Sequence, residues 1–157
     1  VDKSKLNVEI DINGQRQIVE IPQGSSDQSF TQLAVGDIAQ FNGDEVEVAL
    51  VDIAHARSGD KGNHSNIGVI ARKAEYLPWI RANLTEENVA SYMQHVLNPE
   101  TSKVIRYEIE GFNALNFMLE NALGGGGIAS LRIDPQGKAF AQQLLDMTVR
   151  VPKGLVK

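Results

Sequence analysis

Apolar and polar positions alternate along the first twenty residues. Leu6, Val8, Ile10 and Ile12 recur at every second position, and Ile18, Val19 and Ile21 follow after a polar gap. A period of two marks a half-buried strand. Asn13-Gly14 lies between the two runs, and a type I′ turn needs positive φ at both central positions, which this pair tolerates well. The pattern predicts a hairpin, ended by Pro22. Residues 23–45 are rich in Gly, Ser, Asp and Gln and read as a loop or linker, with a short helical turn around Phe30–Leu33.

The pattern is denser from residue 46. The run VEVALVDIA (46–54) is almost continuously apolar, as in a strand covered on both faces, and NIGVIAR (66–72) reads as a second strand. Pro78 suits the first turn of a short helix within 75–84. Thr85 as N-cap, Glu86 and Glu87 in the first turn, and Val89, Met93, Val96 and Leu97 at helical spacing predict another helix, closed by Asn98-Pro99. In KVIRYEI (103–109), Ile105, Tyr107 and Ile109 face one way and Arg106 and Glu108 the other, a strand with one wetter face.

Asn113 as N-cap and Phe112 and Phe117 at the staple positions open a third predicted helix. Leu115, Met118, Leu119 and Ala122 form its buried stripe, and Gly124 its C-cap. A strand over Ile128–Ile133 follows, then a helix opened by Asp134-Pro135 with Phe140, Leu144 and Leu145 inward. TVRVP (148–152) is a short last strand. The order β-β-α-β-α-β-α predicts an α+β two-layer sandwich, a mixed sheet with helices on one face. Residues 1–45 are the expected hairpin and linker, and 46–157 the α+β domain.

Composition narrows the function classes. Of 157 residues 42% are apolar, enough to build a core. The net charge of −5 argues against a sequence-blind nucleic-acid binder, which needs a basic stripe. Residues 1–45 carry all of that excess and the rest is neutral, which suggests two regions of different role. Without cysteine there is no disulfide framework, thiolate zinc site or thiol nucleophile. No apolar run approaches the length of a membrane span, and the start has no signal segment, so a cytoplasmic protein without membrane partners is expected. The chain begins at Val1, as expected of a processed product or an excised domain.

The candidate chemistry is concentrated in HARSGDKGNHSNIG, His55 to Gly68, read as a polar loop between two apolar strands. Arg57, Asp60, Lys61 and His64 place four ionisable groups within eight residues. Gly59, Gly62 and Gly68 allow positive φ or close approach of a ligand. Ser58, Asn63, Ser65 and Asn66 add compact hydrogen-bonding groups. The functional reading is an anion cradle, with backbone N–H groups forming a nest and Arg57 and Lys61 supplying charge. A solvated turn with Arg57 paired to Asp60 is the plain structural alternative. Neither GxxxxGK[ST] nor GxGxxG occurs there, and His55, His64 and Asp60 match no strong metal-ligand spacing, so neither metal nor cofactor is expected.

LGGGGIAS contains a second candidate, Gly124–Gly127. A C-cap with a tight entry into the next strand explains it structurally. Functionally, Gly125 and Gly126 would offer bare backbone to a ligand or another chain, walling one pocket with the first loop. His95 is expected to face solvent, and Tyr76 and Trp79 to pack.

ARSGDKGNHSNIGVIAR (56–72) resembles the signature of the C-terminal domain of AtuA-like proteins, the acyclic terpene utilisation family, and GGGGIASLRIDPQGKAFAQQLL (124–145) resembles the segment near that domain's end. The resemblance spans roughly residues 46–150 and implies a ferredoxin-like fold. It further implies a place in bacterial breakdown of citronellol- and geraniol-type terpenes through acyl-CoA intermediates, often behind a larger N-terminal domain or subunit. It assigns no catalytic residue.

Three functions fit these features. The first is a module binding an acyl-CoA or carboxylate anion through Arg57, Ser58, Gly59, Asp60, Lys61, Gly62, Asn63, His64, Asn66, Gly125 and Gly126. The second is an assembly domain, homo-oligomeric or docked on an upstream domain. The third is an acyl-CoA hydratase or isomerase with Asp60 or His64 as base.

Overall fold

The computed structural model describes residues 5–21 and 43–156, which lie in two separate compact units. The helical turn expected at Phe30–Leu33 and the linker as far as residue 42 lie outside the described residues.

The first unit holds the expected hairpin. Strands β1 (Glu9–Ile12) and β2 (Gln15–Ile18) pair antiparallel, with Ile12 opposite Gln15. Asn13 and Gly14 both have positive φ, as the type I′ turn demands. The Asp11 carboxylate accepts the Gly14 N–H at 3.0 Å and so locks the turn.

In the second unit, β3 (Glu45–Ala49) pairs antiparallel with β8 (Thr148–Pro152). A single helical turn, α1 (Leu50–Ile53), then leads into β4 (Ala54–Lys61) and β5 (His64–Ala71). The strand expected over 46–54 is thus broken. Leu50 and Ile53 are both fully buried, which three-residue helical spacing achieves and strand alternation does not.

The polar stretch from His55 to Gly68 is no loop. It forms the two arms of a β-hairpin, joined by the two-residue turn Gly62-Asn63 with Lys61 opposite His64. Gly62 alone has positive φ between residues 54 and 71, as a type II′ turn requires at its first central position. A nest of convergent backbone N–H groups needs alternating helical and left-handed backbone, so the cradle expected from this stretch does not form from its main chain.

Two helices follow. In α2 (Leu77–Asn83) Pro78 stands in the first turn, as expected. In α3 (Glu86–Tyr92) the Thr85 hydroxyl accepts the Asn88 N–H. Strand β6 (Val104–Ile109) then pairs with β7 (Ala114–Leu119), where the sequence suggested a helix. Leu115, Phe117 and Leu119 are buried while Asn116 and Met118 are only half-buried, the period of a strand. Asn113, expected as an N-cap, takes φ of 50° in the β6–β7 turn.

The last helix, α4 (Phe140–Leu145), starts later than Asp134-Pro135, although the Asp134 carboxylate does bind the amides of Lys138 and Ala139. No strand forms over 128–133. A 3-10 turn at Gly127–Ala129 opens an irregular segment in which Ile128, Leu131 and Ile133 are fully exposed. Its Arg132 guanidinium is held by the carbonyls of Val96 and Ala122, which leaves the neighbouring aliphatics outside.

The main sheet has the order β4-β5-β7-β6, with every pairing antiparallel. Its inner face packs Ile67, Val69, Leu115, Phe117 and Leu119 against Ile80, Val89, Met93 and Leu144 of the helices. This is the expected α+β two-layer architecture with helices on one face, but the sheet is wholly antiparallel where a mixed one was expected, because β4–β5 and β6–β7 are joined by tight turns that admit only antiparallel pairing. The wetter face of β6 is the reverse of that expected: Tyr107 and Ile109 are exposed, whereas Arg106 and Glu108 turn inward, where the Glu108 carboxylate pairs with Arg81 of α2 and lies 3.8 Å from Arg106. Among the described residues no helix is long and apolar enough to cross a membrane.

Candidate functional site

The hairpin presents alternate residues to opposite faces of the sheet. Ala54, Ala56, Ser58 and Asp60 share the inner register of Ile67 and Val69, whereas His55, Arg57, Gly59 and Lys61 share the outer one with Asn66 and Gly68. β4 is an edge strand, so groups on its rim are accessible from both sides.

A recess of about 430 Å³ opens there, within the range of small-molecule sites. Arg57, Gly59, Lys61, Asn66 and Gly68 line it from the outer face, and Ser58, Asp60 and Lys138 complete it at the rim. The Lys138 Nζ lies 3.3 Å from Asp60 Oδ1 and also 3.3 Å from where a Cβ on Gly59 would stand, so its side chain wraps the strand edge.

Each charge has a distinct setting. The Asp60 carboxylate is held below its ordinary range, first by its own backbone N–H and then by the Lys138 ammonium. Lys61 Nζ donates to the Asp60 carbonyl oxygen at 3.0 Å and to Asn66 Oδ1 at 3.4 Å. Asn66 Nδ2 in turn donates to Asn116 Oδ1 at 3.1 Å, which fixes the amide across two strands. Arg57 is exposed and has no hydrogen bond or ion pair among the described residues, so the expected alternative of an Arg57–Asp60 pair is not what forms. Three cations face one carboxylate, and one of the cations is unpaired.

The structure divides the sequence candidates into two groups. Arg57, Ser58, Gly59, Asp60, Lys61 and Asn66 meet at the recess. Gly62, Asn63, His64, Gly125 and Gly126 meet at the hairpin turn, in direct contact. Asn63 Oδ1 accepts the Gly125 N–H at 2.6 Å, and its carbonyl accepts the Leu123 N–H. His64 Nδ1 accepts the Asn121 N–H at 2.9 Å, which fixes the ring's lone pair inward. The glycine turn lies beside the hairpin, but the two are in van der Waals contact: a Cβ on Gly126 would overlap the Gly62 carbonyl oxygen. Five candidates thus form a structural clasp.

Lys138 and Asn116 are recess or near-recess residues that sequence reading missed. Lys138 is 78 residues from Asp60, and no local signal links them. An aspartate held acidic by its own backbone N–H and then by a lysine is a weak base, which weakens the case for proton chemistry at Asp60. Among the described residues no group of three His, Cys, Asp or Glu side chains could hold a metal. His95 is exposed and bonds Gln143 at 2.6 Å, and Tyr76 is buried in the core.

Fold and recess together define a small α+β sheet domain with one open face and a cationic rim. Compared with known families, residues 48–150 match the AtuA ferredoxin-like domain. The chain belongs to that family. No curated protein and no solved structure gives a significant match.

Proposed function

We propose that the domain is a binding module whose edge recess holds the anionic group of a small molecule, an acyl-CoA or a carboxylate, in the service of acyclic terpene catabolism in the cytoplasm. The observation that carries this reading is the unpaired Arg57 guanidinium beside Gly59 and Gly68, with Lys61 and Lys138 adjacent. Arginine grips a carboxylate or phosphate with two parallel hydrogen bonds, and the glycines leave room for the acceptor. Calorimetric titration of the full chain with acetate, inorganic phosphate and acetyl-CoA tests it. Saturable binding of at least one anion, weakened about tenfold or more in Arg57→Ala, supports the reading. Absence of binding, or binding that Arg57→Ala leaves intact, refutes it.

A second reading, assembly with another chain or with a larger upstream domain, is favoured by one observation. Ile128, Leu131 and Ile133 are fully exposed on a segment that Arg132 anchors. Sedimentation of the full chain would show an oligomer that Leu131→Ser dissociates, and a monomer in both would remove self-assembly.

A further inference from the structure

Gly68 has no explanation within the fold. It lies mid-strand in β5, between β4 and β7, where a β-branched residue stabilises a sheet and glycine weakens it. Its φ is not positive. A Cβ there would meet nothing nearer than the Arg57 carbonyl oxygen at 3.8 Å, an ordinary contact. Gly126 and Gly137 differ, because a Cβ on either would collide with its neighbours. What a side chain at position 68 would fill is the space above the sheet.

The register shows what borders that space. Arg57, Gly68, Asn116 and Tyr107 form one row across the four strands. His55, Ile70, Ala114 and Ile109 form the next. The β4 end is cationic. The β6 end is apolar and open, with Tyr107 48% and Ile109 38% exposed and Ile70 on β5 49% exposed. Between the two ends stand Gly68, which bares its backbone, and Asn116, whose amide is tied back to Asn66; three strand spacings separate the ends by about 14 Å.

We infer that this open sheet face is a platform for a small amphipathic anion, with its carboxylate or phosphate head at Arg57 and its apolar body crossing Gly68 onto Tyr107, Ile109 and Ile70. The inference rests on the anion reading of the recess and adds the ligand's class and the surface that selects it. Charge complementarity chooses this occupant over a second copy of the chain. The outward positions of the paired rows carry no Asp or Glu, so two such faces laid together would bury Arg57 and Lys61 with no opposite charge across the seam.

Straight-chain carboxylates (acetate, hexanoate and decanoate) titrated into the full chain test the platform. Affinity is expected to rise along the series, about fourfold per methylene that becomes buried. Gly68→Val should weaken decanoate about tenfold more than it weakens acetate, the loss of roughly two buried methylenes. Arg57→Gln should weaken all three. Valine suits a strand, so Gly68→Val is expected to stay folded; Tyr107→Lys is a second variant that should weaken decanoate alone. Acetate bound through Arg57 with no gain along the series overturns the platform and leaves the anion reading standing. A gain that survives Arg57→Gln, or that Gly68→Val does not touch, overturns it as well. A dimer that Tyr107→Lys dissociates assigns the face to a second copy and overturns it. Failure of every carboxylate and of phosphate to bind refutes both readings.

Discussion

The Ser58 hydroxyl caps a helix from a strand: it accepts the Ala141 N–H at 2.9 Å and donates to the Lys138 carbonyl at 3.2 Å. Ala141 lies in the first turn of α4, where amides have no intrahelical partner. Asp134 satisfies the amides of Lys138 and Ala139, the Gly137 carbonyl takes that of Phe140, and Ser58 takes that of Ala141. Ser58 is 7% exposed and Ala141 fully buried, so water cannot replace the bond. Ser58→Ala is expected to cost about 1–3 kcal/mol, the penalty of a buried donor left unmade, measured by urea denaturation. A change below a few tenths would show that the amide finds another partner.

Gly126 and Gly127 stand side by side with positive φ, yet they should respond differently to alanine. A Cβ at Gly127 meets nothing, so Gly127→Ala carries only the left-handed backbone cost of about 1–2 kcal/mol. At Gly126 the Cβ overlaps the Gly62 carbonyl oxygen, and backbone must move. Gly126→Ala is expected to exceed its neighbour by about 1–3 kcal/mol, and thermal midpoints of the two variants compare them directly. Equal losses would mean that the clasp between the glycine turn and the hairpin is not rigid.

Where a local signal had one outcome, the chain was readable. Asn13-Gly14, Thr85 and Pro78 each answer a geometric need within a few residues, and each stands where expected. Residues 114–119 carry two periods at once. Leu115, Met118 and Leu119 suit a helix, and Leu115, Phe117 and Leu119 suit a strand. The choice falls to β5 and β6, which lie far off in sequence and supply ladder partners on both sides. Gly62-Asn63 was a hairpin signal hidden among the charged residues that drew attention to chemistry. Six of the site candidates converge because a hairpin keeps sequence neighbours together. Lys138 joins them only through the packing of α4 against β4, which no motif announces.

The Asp60–Lys138 pair gives the fold an acid-sensitive contact. Asp60 titrates below its ordinary range in the folded state, first through its own N–H and then through Lys138. A depressed folded value means the unfolded chain takes up the proton first as pH falls. The stabilisation is full above the unfolded value, near 3.9, and fades as pH drops through the lower folded value. Both side chains are substantially exposed, so the effect is small and screened by salt. Asp60→Asn should therefore lower the urea midpoint slightly at pH 7 in low salt, and the gap to the wild type should shrink as pH falls below the unfolded value. A difference that grows toward acid would reverse the sign and refute the assignment.

A stronger electrostatic contact ties α2 to the edge of the sheet. The Arg81 guanidinium donates to both oxygens of Glu108, from Nε at 3.1 Å and from Nη2 at 2.9 Å. Their side chains are 15% and 27% exposed, so solvent screens this pair less than the one at Asp60. Arg106 approaches the same carboxylate at 3.8 Å, while its own guanidinium caps the carbonyls of Arg81 and Leu84 near the end of α2. Removing the carboxylate leaves two half-buried guanidiniums with one anion fewer between them. Glu108→Ala is expected to cost about 1.5–3 kcal/mol, more than an exposed pair is worth. Glu108→Gln keeps the shape and one acceptor, so it should recover part of the loss, and Arg81→Lys, which gives up the planar fork, should fall between the two. If Arg81→Ala combined with Glu108→Ala costs the sum of the single changes, the two residues are not coupled and the contact contributes nothing beyond its packing.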